Sequence, residues 1–396
     1  MCKKKRGSHL ALGILLGCSL FGLAGCWDRV EVNDLAISMA ASIDSAPGGK
    51  IRYSKQIAIP GRMGGGTGGP PTSQGPPYTV LSAVGVDMKD AMQNIQKKLS
   101  RRLFLAHRRL FLIGEPLARK GIKDQIDEMS RNPQTRLRTN VVVTKGESLD
   151  YLKMGYPFER VPAEGLRKIL YGEQSNFEMD IKELMVTLAT PGSEAFVPII
   201  TLGPPATGAA KSFKADGLAV FRSGKMVGTL TAHQERGVLW LRNQINRATI
   251  TIGVPGHKGK ISMNLLRVQS DYGIKKINGH PAMYIRFVPE DDILENNTDL
   301  DLSNPKNIAL VERIFSAKIQ REIKESLDIL QHRYHSDIVK FGDRVHHAYP
   351  QEWNTWVKHW DREFARMPVT VVVNAKVRRV GMTGPSLTRM EGEIEH

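Results

Sequence analysis

Leu35-Ala36-Ile37-Ser38-Met39-Ala40-Ala41-Ser42-Ile43-Asp44 alternates without a break. Leu35, Ile37, Met39, Ala41 and Ile43 fall on one side and Ala36, Ser38, Ala40, Ser42 and Asp44 on the other. Side chains of a strand point to opposite faces in turn, so this pattern predicts a half-buried strand. Ala46-Pro47-Gly48-Gly49 then turns the chain, and Lys50 to Ile59 predicts the returning strand of a hairpin. The body of the chain therefore begins as a sheet.

Downstream, Pro60 to Pro77 is a low-complexity loop of mostly Gly, Pro, Ser and Thr, too poor in apolar side chains to form a core. Gly64, Gly66 and Gly69 have the spacing of a dinucleotide fingerprint, but Pro70-Pro71 follows where a helix N-terminus must hold the pyrophosphate. That match is rejected. Tyr78 to Val86 predicts a strand, Asp87 an N-cap, and Met88, Met92, Ile95 and Leu99 one face of a helix. Arg108 to Ile113 reads as a strand, Glu115 to Gly121 and Ile122 to Ser130 as helices, and Leu137 to Thr144 as a strand. The order β-β-β-α-β-α-α-β predicts a mixed sheet covered by helices.

The second half opens with a hairpin, Gly217 to Phe221 and Met226 to Leu230, followed by a short helix around Gln234 to Leu241. Strands are predicted over Thr249 to Val254, Gly259 to Ser270 and Met283 to Val288. Ile308, Val311, Phe315, Ile319, Ile323, Leu327, Leu330, Tyr334 and Ile338 recur every three or four residues and predict one long helix, 305–340, opened by Ser303-Asn304-Pro305. Pro350 begins a helix carrying Trp353, Trp356 and Trp360, and Val369 to Val380 closes as a strand. The expected class is α+β, multi-domain, with mixed sheets each covered by helices and domains in series. Composition places the borders at 1–25 (signal), 26–202 (an α/β domain with the loop 60–77), 203–257 (a small hairpin and helix unit), 258–384 (an α+β domain) and 385–396 (tail).

Upstream, Lys3-Lys4-Lys5-Arg6 precedes an apolar run from Leu10 to Phe21 and the small residues Leu23-Ala24-Gly25-Cys26. These are the three parts of a secretory signal, and the run is shorter than the roughly 20 residues a spanning helix needs. Leu-Ala-Gly-Cys also matches the bacterial lipobox. The match implies a thioether-linked diacylglycerol on Cys26, an N-acyl chain as a further option, and cleavage before that residue. The bland alternative is an ordinary cleaved signal with an incidental cysteine. Of three cysteines, Cys2 and Cys18 leave with the signal, so the mature body has no pair for a disulfide and no Cys-based zinc site or nucleophile. The net charge is +16, of which the four cations of the signal account for four. A basic exported body excludes nucleic acid as partner and points to a phospholipid membrane or acidic proteins, or to a generally basic solvated surface.

No Gly-x-Ser-x-Gly elbow, His-Glu-x-x-His or P-loop is present. Glu290-Asp291-Asp292 reads as solvated charge, and His332 and His335, three apart on the long helix, lack a third ligand, so no metal is expected. The densest basic cluster is Lys97, Lys98, Arg101, Arg102, His107, Arg108 and Arg109. It is either a face for anionic lipid or an acidic partner, or a solvated helix end whose cations suit the C-terminal dipole.

Trp27-Asp28-Arg29-Val30-Glu31-Val32-Asn33-Asp34-Leu35-Ala36 with a strand ending at Asp44, Arg102-Leu103-Phe104-Leu105-Ala106-His107, Ile113-Gly114-Glu115-Pro116-Leu117-Ala118-Arg119-Lys120-Gly121, Gly217-Leu218-Ala219-Val220-Phe221, Arg236-Gly237 with Leu239-Trp240, Asp337-Ile338-Val339-Lys340-Phe341-Gly342, and Trp353 with Trp360 stand in this order. As an ordered set they resemble the Ger(x)C family, the C subunits of spore germinant receptors, across nearly the whole mature chain. The Gly61 to Pro77 loop is longer and richer in glycine than is usual there. The resemblance implies three α/β domains in series and a lipoprotein on the outer face of the spore inner membrane. It also implies assembly with two integral-membrane germinant receptor subunits and no enzymatic activity. A solute-binding lipoprotein of a transporter is the rival; its lobes would show repeated β-α-β-α alternation, which the hairpins here do not. A surface hydrolase would need a nucleophile or metal set that is absent.

Overall fold

The computed structural model describes residues 31–63, 75–171, 179–203 and 212–381. The signal segment with Cys26, most of the Gly/Pro loop and the 385–396 tail lie outside the described residues. The first sheet opens as an antiparallel meander of β1 (Leu35–Ser45), β2 (Ile51–Ala58) and β3 (Tyr78–Gly85). Parallel strands β5 (Leu110–Gly114), β6 (Asn140–Thr144) and β7 (Phe196–Gly203) continue it from β1. An antiparallel hairpin, β8 (Ser212–Arg222) and β9 (Lys225–Leu230), completes it, while the short β4 (Arg102–Phe104) lies parallel to the start of β1. The order is β3-β2-β1-β5-β6-β7-β8-β9.

Helices cover both faces. On one lie α1 (Met88–Gln96), α2 (Glu115–Lys120), α3 (Lys123–Arg131) and α6 (Ile181–Ala189), which bury Ile95, Leu117, Ile126 and Leu184. On the other, α4 (Ser148–Lys153) and α5 (Pro162–Tyr171) bury Leu152 and Leu166 against Ala40, Leu112 and Val142. Asp87 caps α1 as expected, its Oδ1 accepting the Asp90 N–H at 2.8 Å.

Two covered faces correct the expectation of a half-buried β1. Its alternation also changes phase partway. Ala36, then Ala41 and Ile43, belong to one core, whereas Ala40 belongs to the other, because a bulge breaks the β1–β2 register between Ser38 and Ala40. One extra residue in a strand moves everything after it to the opposite face. Other differences are omissions: β4, β7, α4, α5 and α6 have no counterpart in the sequence reading, and β6 starts at Asn140 rather than Leu137.

The second sheet joins β10 (Thr249–Ile252), β11 (Ile261–Ile277), β12 (His280–Asn296) and β13 (Val369–Val373), with β14 (Lys376–Arg379) also on β12. Its strands pair antiparallel up to β12 and parallel between β12 and β13, so this sheet too is mixed. Both hairpin strands run 17 residues, well past the spans read from sequence. Between the sheets, α7 (Ala232–Leu241) packs on α8 (Pro305–Asp328); α9 (Phe341–Ala348), α10 (Pro350–Trp356) and α11 (Trp360–Arg366) follow.

The expected single helix 305–340 ends early. After Asp328 the chain widens into a π turn over Ile329–Tyr334 and stops at His335, which is left-handed at φ 47°. Ser336 then bonds the Phe221 carbonyl of the first sheet at 2.6 Å, holding the chain off the helix axis. Val311, Phe315, Ile319, Ile323 and Leu327 are nonetheless all buried along α8. The hairpin expected to found a middle unit at 203–257 extends the first sheet through β7–β8 pairing, and β10 belongs to the second. One cluster of buried side chains runs through both sheets. The fold is α+β, two mixed sheets in series with their helices.

Candidate functional site

Several segments that carry the family resemblance lock elements together. The Asp44 carboxylate, at the end of β1, accepts the N–H of Ser148 at 2.7 Å and of Leu149 at 3.1 Å, capping α4 from across the sheet. Arg236 of α7 reaches Glu322 of α8 through two bonds, Nε to Oε2 at 2.8 Å and Nη2 to Oε1 at 3.1 Å. Beside it, a Cβ on Gly237 would lie 2.1 Å from the Ser326 hydroxyl, so the helices touch at a point only glycine allows. Trp353 and Trp360 meet edge to face, 5.0 Å apart. These residues shape the body and expose no reactive group.

Exposed chemistry gathers at the end of the first sheet where β1 begins. Leu35, Leu103, Phe104, Leu105 and Ala106 line an apolar cleft of about 320 Å³, with Arg102 and Gln134 at its edge. Phe104 is 38% exposed there, and nearby Leu137 is 43% exposed. The segment 132–139 is tied to the segment after β4 by the Thr139 hydroxyl, whose one proton is shared between the carbonyls of Arg136 at 2.7 Å and Arg108 at 3.0 Å. Arg101, Arg102 and Arg136 are exposed and have no carboxylate within ion-pair distance among the described residues, whereas Arg138, also exposed, lines a different cleft with Asp180 and Glu183. The carboxylates Glu31 and Asp34 stand at the same end.

The expected cluster is thereby divided. Lys97, Lys98, Arg101 and Arg102 are exposed, though α1 stops at Gln96, so none of them rides on the helix. The Lys97 ammonium bonds the Asn94 side chain and that of Lys98 the Ser82 carbonyl. Arg109 pairs with Glu164 at 3.5 Å. Arg108 is not at the surface at all. It is 1% exposed, and its guanidinium lies over the Phe111 ring and donates to the Tyr53 hydroxyl at 3.2 Å. Its place in the surface set is taken by Arg136, which the expected cluster did not include. Arg-x-Arg after the Asn132-Pro133 break was the available signal.

Lys55 is as buried as Arg108 and bonds the same Tyr53 hydroxyl at 3.0 Å. Burial pushes the Lys55 ammonium below its ordinary pKa. Burial alone would raise the Tyr53 phenol, but Lys55 and Arg108 beside it overturn this and leave it below its ordinary value. Gln125 and Glu128 separate this cluster from a cleft of about 440 Å³ rimmed by Lys50, Lys89 and Lys120. Burial raises the pKa of Glu128, whose Oε2 has no hydrogen-bond partner.

The histidine pair does not share a site. His332 is engaged by Asp328 at 3.0 Å, and His335 sits beyond the π turn. Among the described residues no three His, Cys, Asp or Glu side chains gather at metal-binding distance. Glu290 is not solvated charge either: Arg267 and Arg378 each grip it with two bonds and hold its carboxyl down at about 2. Asp291 beside it is buried, with both oxygens unbonded.

Comparison with known proteins agrees with this architecture. A family model described as "Spore germination protein N-terminal domain" matches residues 28–202, and one described as "Spore germination B3/ GerAC like, C-terminal" matches residues 216–381. Spore germination protein KC of Bacillus subtilis is 28% identical, the alignment covering 94% of this chain and 96% of that protein. Spore germination protein B3 of the same organism is 24% identical, with 92% and 96% covered. The crystal structure of the GerBC protein has the same fold, with a TM-score of 0.58 at 19% identity, over 86% of this chain and 98% of that one. The chain belongs to the Ger(x)C family, and its role lies in spore germination.

Proposed function

We propose that this chain is the lipid-anchored C subunit of a nutrient germinant receptor. In this reading a diacylglycerol on Cys26 holds it to the outer face of the spore inner membrane. It works by assembly with two integral-membrane subunits, without a catalytic step or a cofactor of its own. The observation that carries the reading is the match of both family models, which begins two residues after Cys26 and runs to residue 381. Leu23-Ala24-Gly25-Cys26 supports the anchor. Two acyl chains suffice for lasting attachment where one does not. Among the described residues no helix is long and apolar enough to cross a membrane, and the reading assigns attachment to the lipid.

Radioactive palmitate should label the wild-type protein and leave Cys26→Ala unlabelled; a labelled variant would remove the anchor from the reading. The lipidated protein should co-purify from detergent extracts with two membrane subunits. Amino acids, sugars or nucleosides added to the purified protein should not shift its melting temperature. A ligand at 100 times its dissociation constant adds about 2.7 kcal/mol to stability, so a nutrient site would show as a shift of several degrees and favour a solute-binding role.

A further inference from the structure

We infer that the end of the first sheet around β4 is a membrane-seating face: Phe104 and its apolar cleft press into the interfacial region of an anionic phospholipid bilayer, and Arg101, Arg102 and Arg136 engage the headgroup phosphates. The inference rests on the lipid anchor proposed above and adds an orientation to it. Two independent features of the protein support it.

The first is the tether. Leu35 opens β1 and pairs with Arg102, so the described chain begins at this end of the sheet. Eight residues lie between Cys26 and Leu35, nine steps along the chain. At no more than about 3.3–3.6 Å each they span at most roughly 30 Å, and less once Val32–Asp34 coil into a 3-10 turn. A body anchored through Cys26 therefore keeps this end close to the bilayer, while the far end of β1, with the turn at 46–50, is carried away along the strand.

The second is the surface itself. An apolar cleft with an exposed Phe rimmed by unpaired guanidiniums is the composition that suits a membrane interface, where apolar groups enter the acyl boundary and cations meet phosphate. Arginine suits the task because its planar fork binds phosphate through paired N–H groups. Two carboxylates, Glu31 and Asp34, oppose three guanidiniums, so cations dominate the rim. An acidic protein partner would complement the guanidiniums equally but gives no reason for the cleft to lie at the tether.

The test uses the mature lipoprotein reconstituted into vesicles, with a fluorophore on Ala106→Cys beside the cleft or on Lys50→Cys at the far end of β1. Vesicle flotation reads the anchor; quenching by brominated phospholipid reads the seating. In vesicles containing phosphatidylglycerol, the Ala106 probe should be quenched several-fold more than the Lys50 probe. In pure phosphatidylcholine, or in 1 M salt where screening reaches about 3 Å, the difference should shrink. R101E/R102E/R136E should float as wild type does, melt at the wild-type temperature and lose the quenching, and Phe104→Ser should weaken it. Floating protein whose two probes are quenched equally overturns the seating and leaves the anchor standing. Protein that does not float overturns both. An Ala106 probe shielded only when the two membrane subunits are present makes the face a protein interface and overturns the inference.

Discussion

The Asp337 carboxylate accepts the indole N–H of Trp360 at 3.0 Å, a bond that ties the segment after the π turn to α11, the last helix among the described residues. The same carboxylate accepts the N–H of Val339 at 3.2 Å, Phe341 at 3.1 Å and Gly342 at 2.7 Å. A Cβ on Gly342 would meet the Gly192 carbonyl at 2.5 Å and the Trp360 nitrogen at 2.9 Å, so the turn packs tightly against both. Burial pushes the Asp337 carboxyl up to about 6 in spite of its four donors.

Asp337→Ala should cost about 3 kcal/mol or more, since each buried donor left without an acceptor costs roughly 1–3 kcal/mol. Asp337→Asn, which keeps one acceptor oxygen, should cost less. Urea unfolding of the two variants checks the order; an alanine variant as stable as wild type would mean the turn is held by other contacts.

Asp291 should make stability fall as pH rises. Burial first, and then Asp292 beside it, push its carboxyl from 3.8 to about 7. The native state therefore holds this proton more tightly than the unfolded chain. Its contribution is fully present below about pH 4 and is lost as pH rises through 7, on the order of a few kcal/mol. Asp291→Asn cannot titrate. Its urea midpoint should fall less than that of wild type between pH 5 and pH 8, and parallel pH profiles would refute the assignment.

Lys55→Met should stabilise the protein at neutral pH by roughly 1–3 kcal/mol, because an apolar side chain of similar length removes a fully buried amine that bonds Tyr53 and feels Glu128 without forming an ion pair with it. Tyr53 keeps its bond from Arg108 in the variant. Chemical denaturation measures the change, and a loss of stability would show that the Lys55–Tyr53 bond outweighs the cost of desolvation.

Gly237→Ala should destabilise by roughly 1–3 kcal/mol through overpacking, since the added Cβ would also lie 2.6 Å from the Glu322 carbonyl on α8. Spreading α7 from α8 should also loosen the Arg236–Glu322 pair, so the loss should exceed that of Arg236→Met. Thermal melts of both variants settle the ranking.

Features written in local spacing were legible in the chain. The alternation of 35–44 announces β1, Asp87 announces the cap of α1, and the stripe from Val311 to Leu327 announces the buried face of α8. The ordered motifs from Asp337–Gly342 to Trp353 and Trp360 announce the family. The missed helices were not without signals. Asp180 caps α6 by accepting the Glu183 N–H at 2.8 Å, and Ile181, Leu184 and Leu188 follow at helical spacing. What misled was a pattern that continues where the structure does not: Leu330, Tyr334 and Ile338 keep the spacing of the stripe and are all buried, yet the helix has ended before Ile338. Burial sets such a pattern, and a turn that returns a side chain to the same core preserves it.

By itself the sequence determined β1, the capped start of α1, the buried stripe of α8, the Leu23-Ala24-Gly25-Cys26 spacing and the family. Those depend on residues near one another in the chain or on their order. The tertiary structure alone decided which cations reach solvent. Arg108 and Arg109 are adjacent, but one is sealed under α1 and α3 with Tyr53 and Lys55, and the other is exposed beside Glu164. Arg136 is exposed near the start of β6, which parallel pairing sets beside β5, as it sets β4 beside β1. Charge carries no periodicity that records depth. A guanidinium is buried or exposed according to which distant strands and helices close over it.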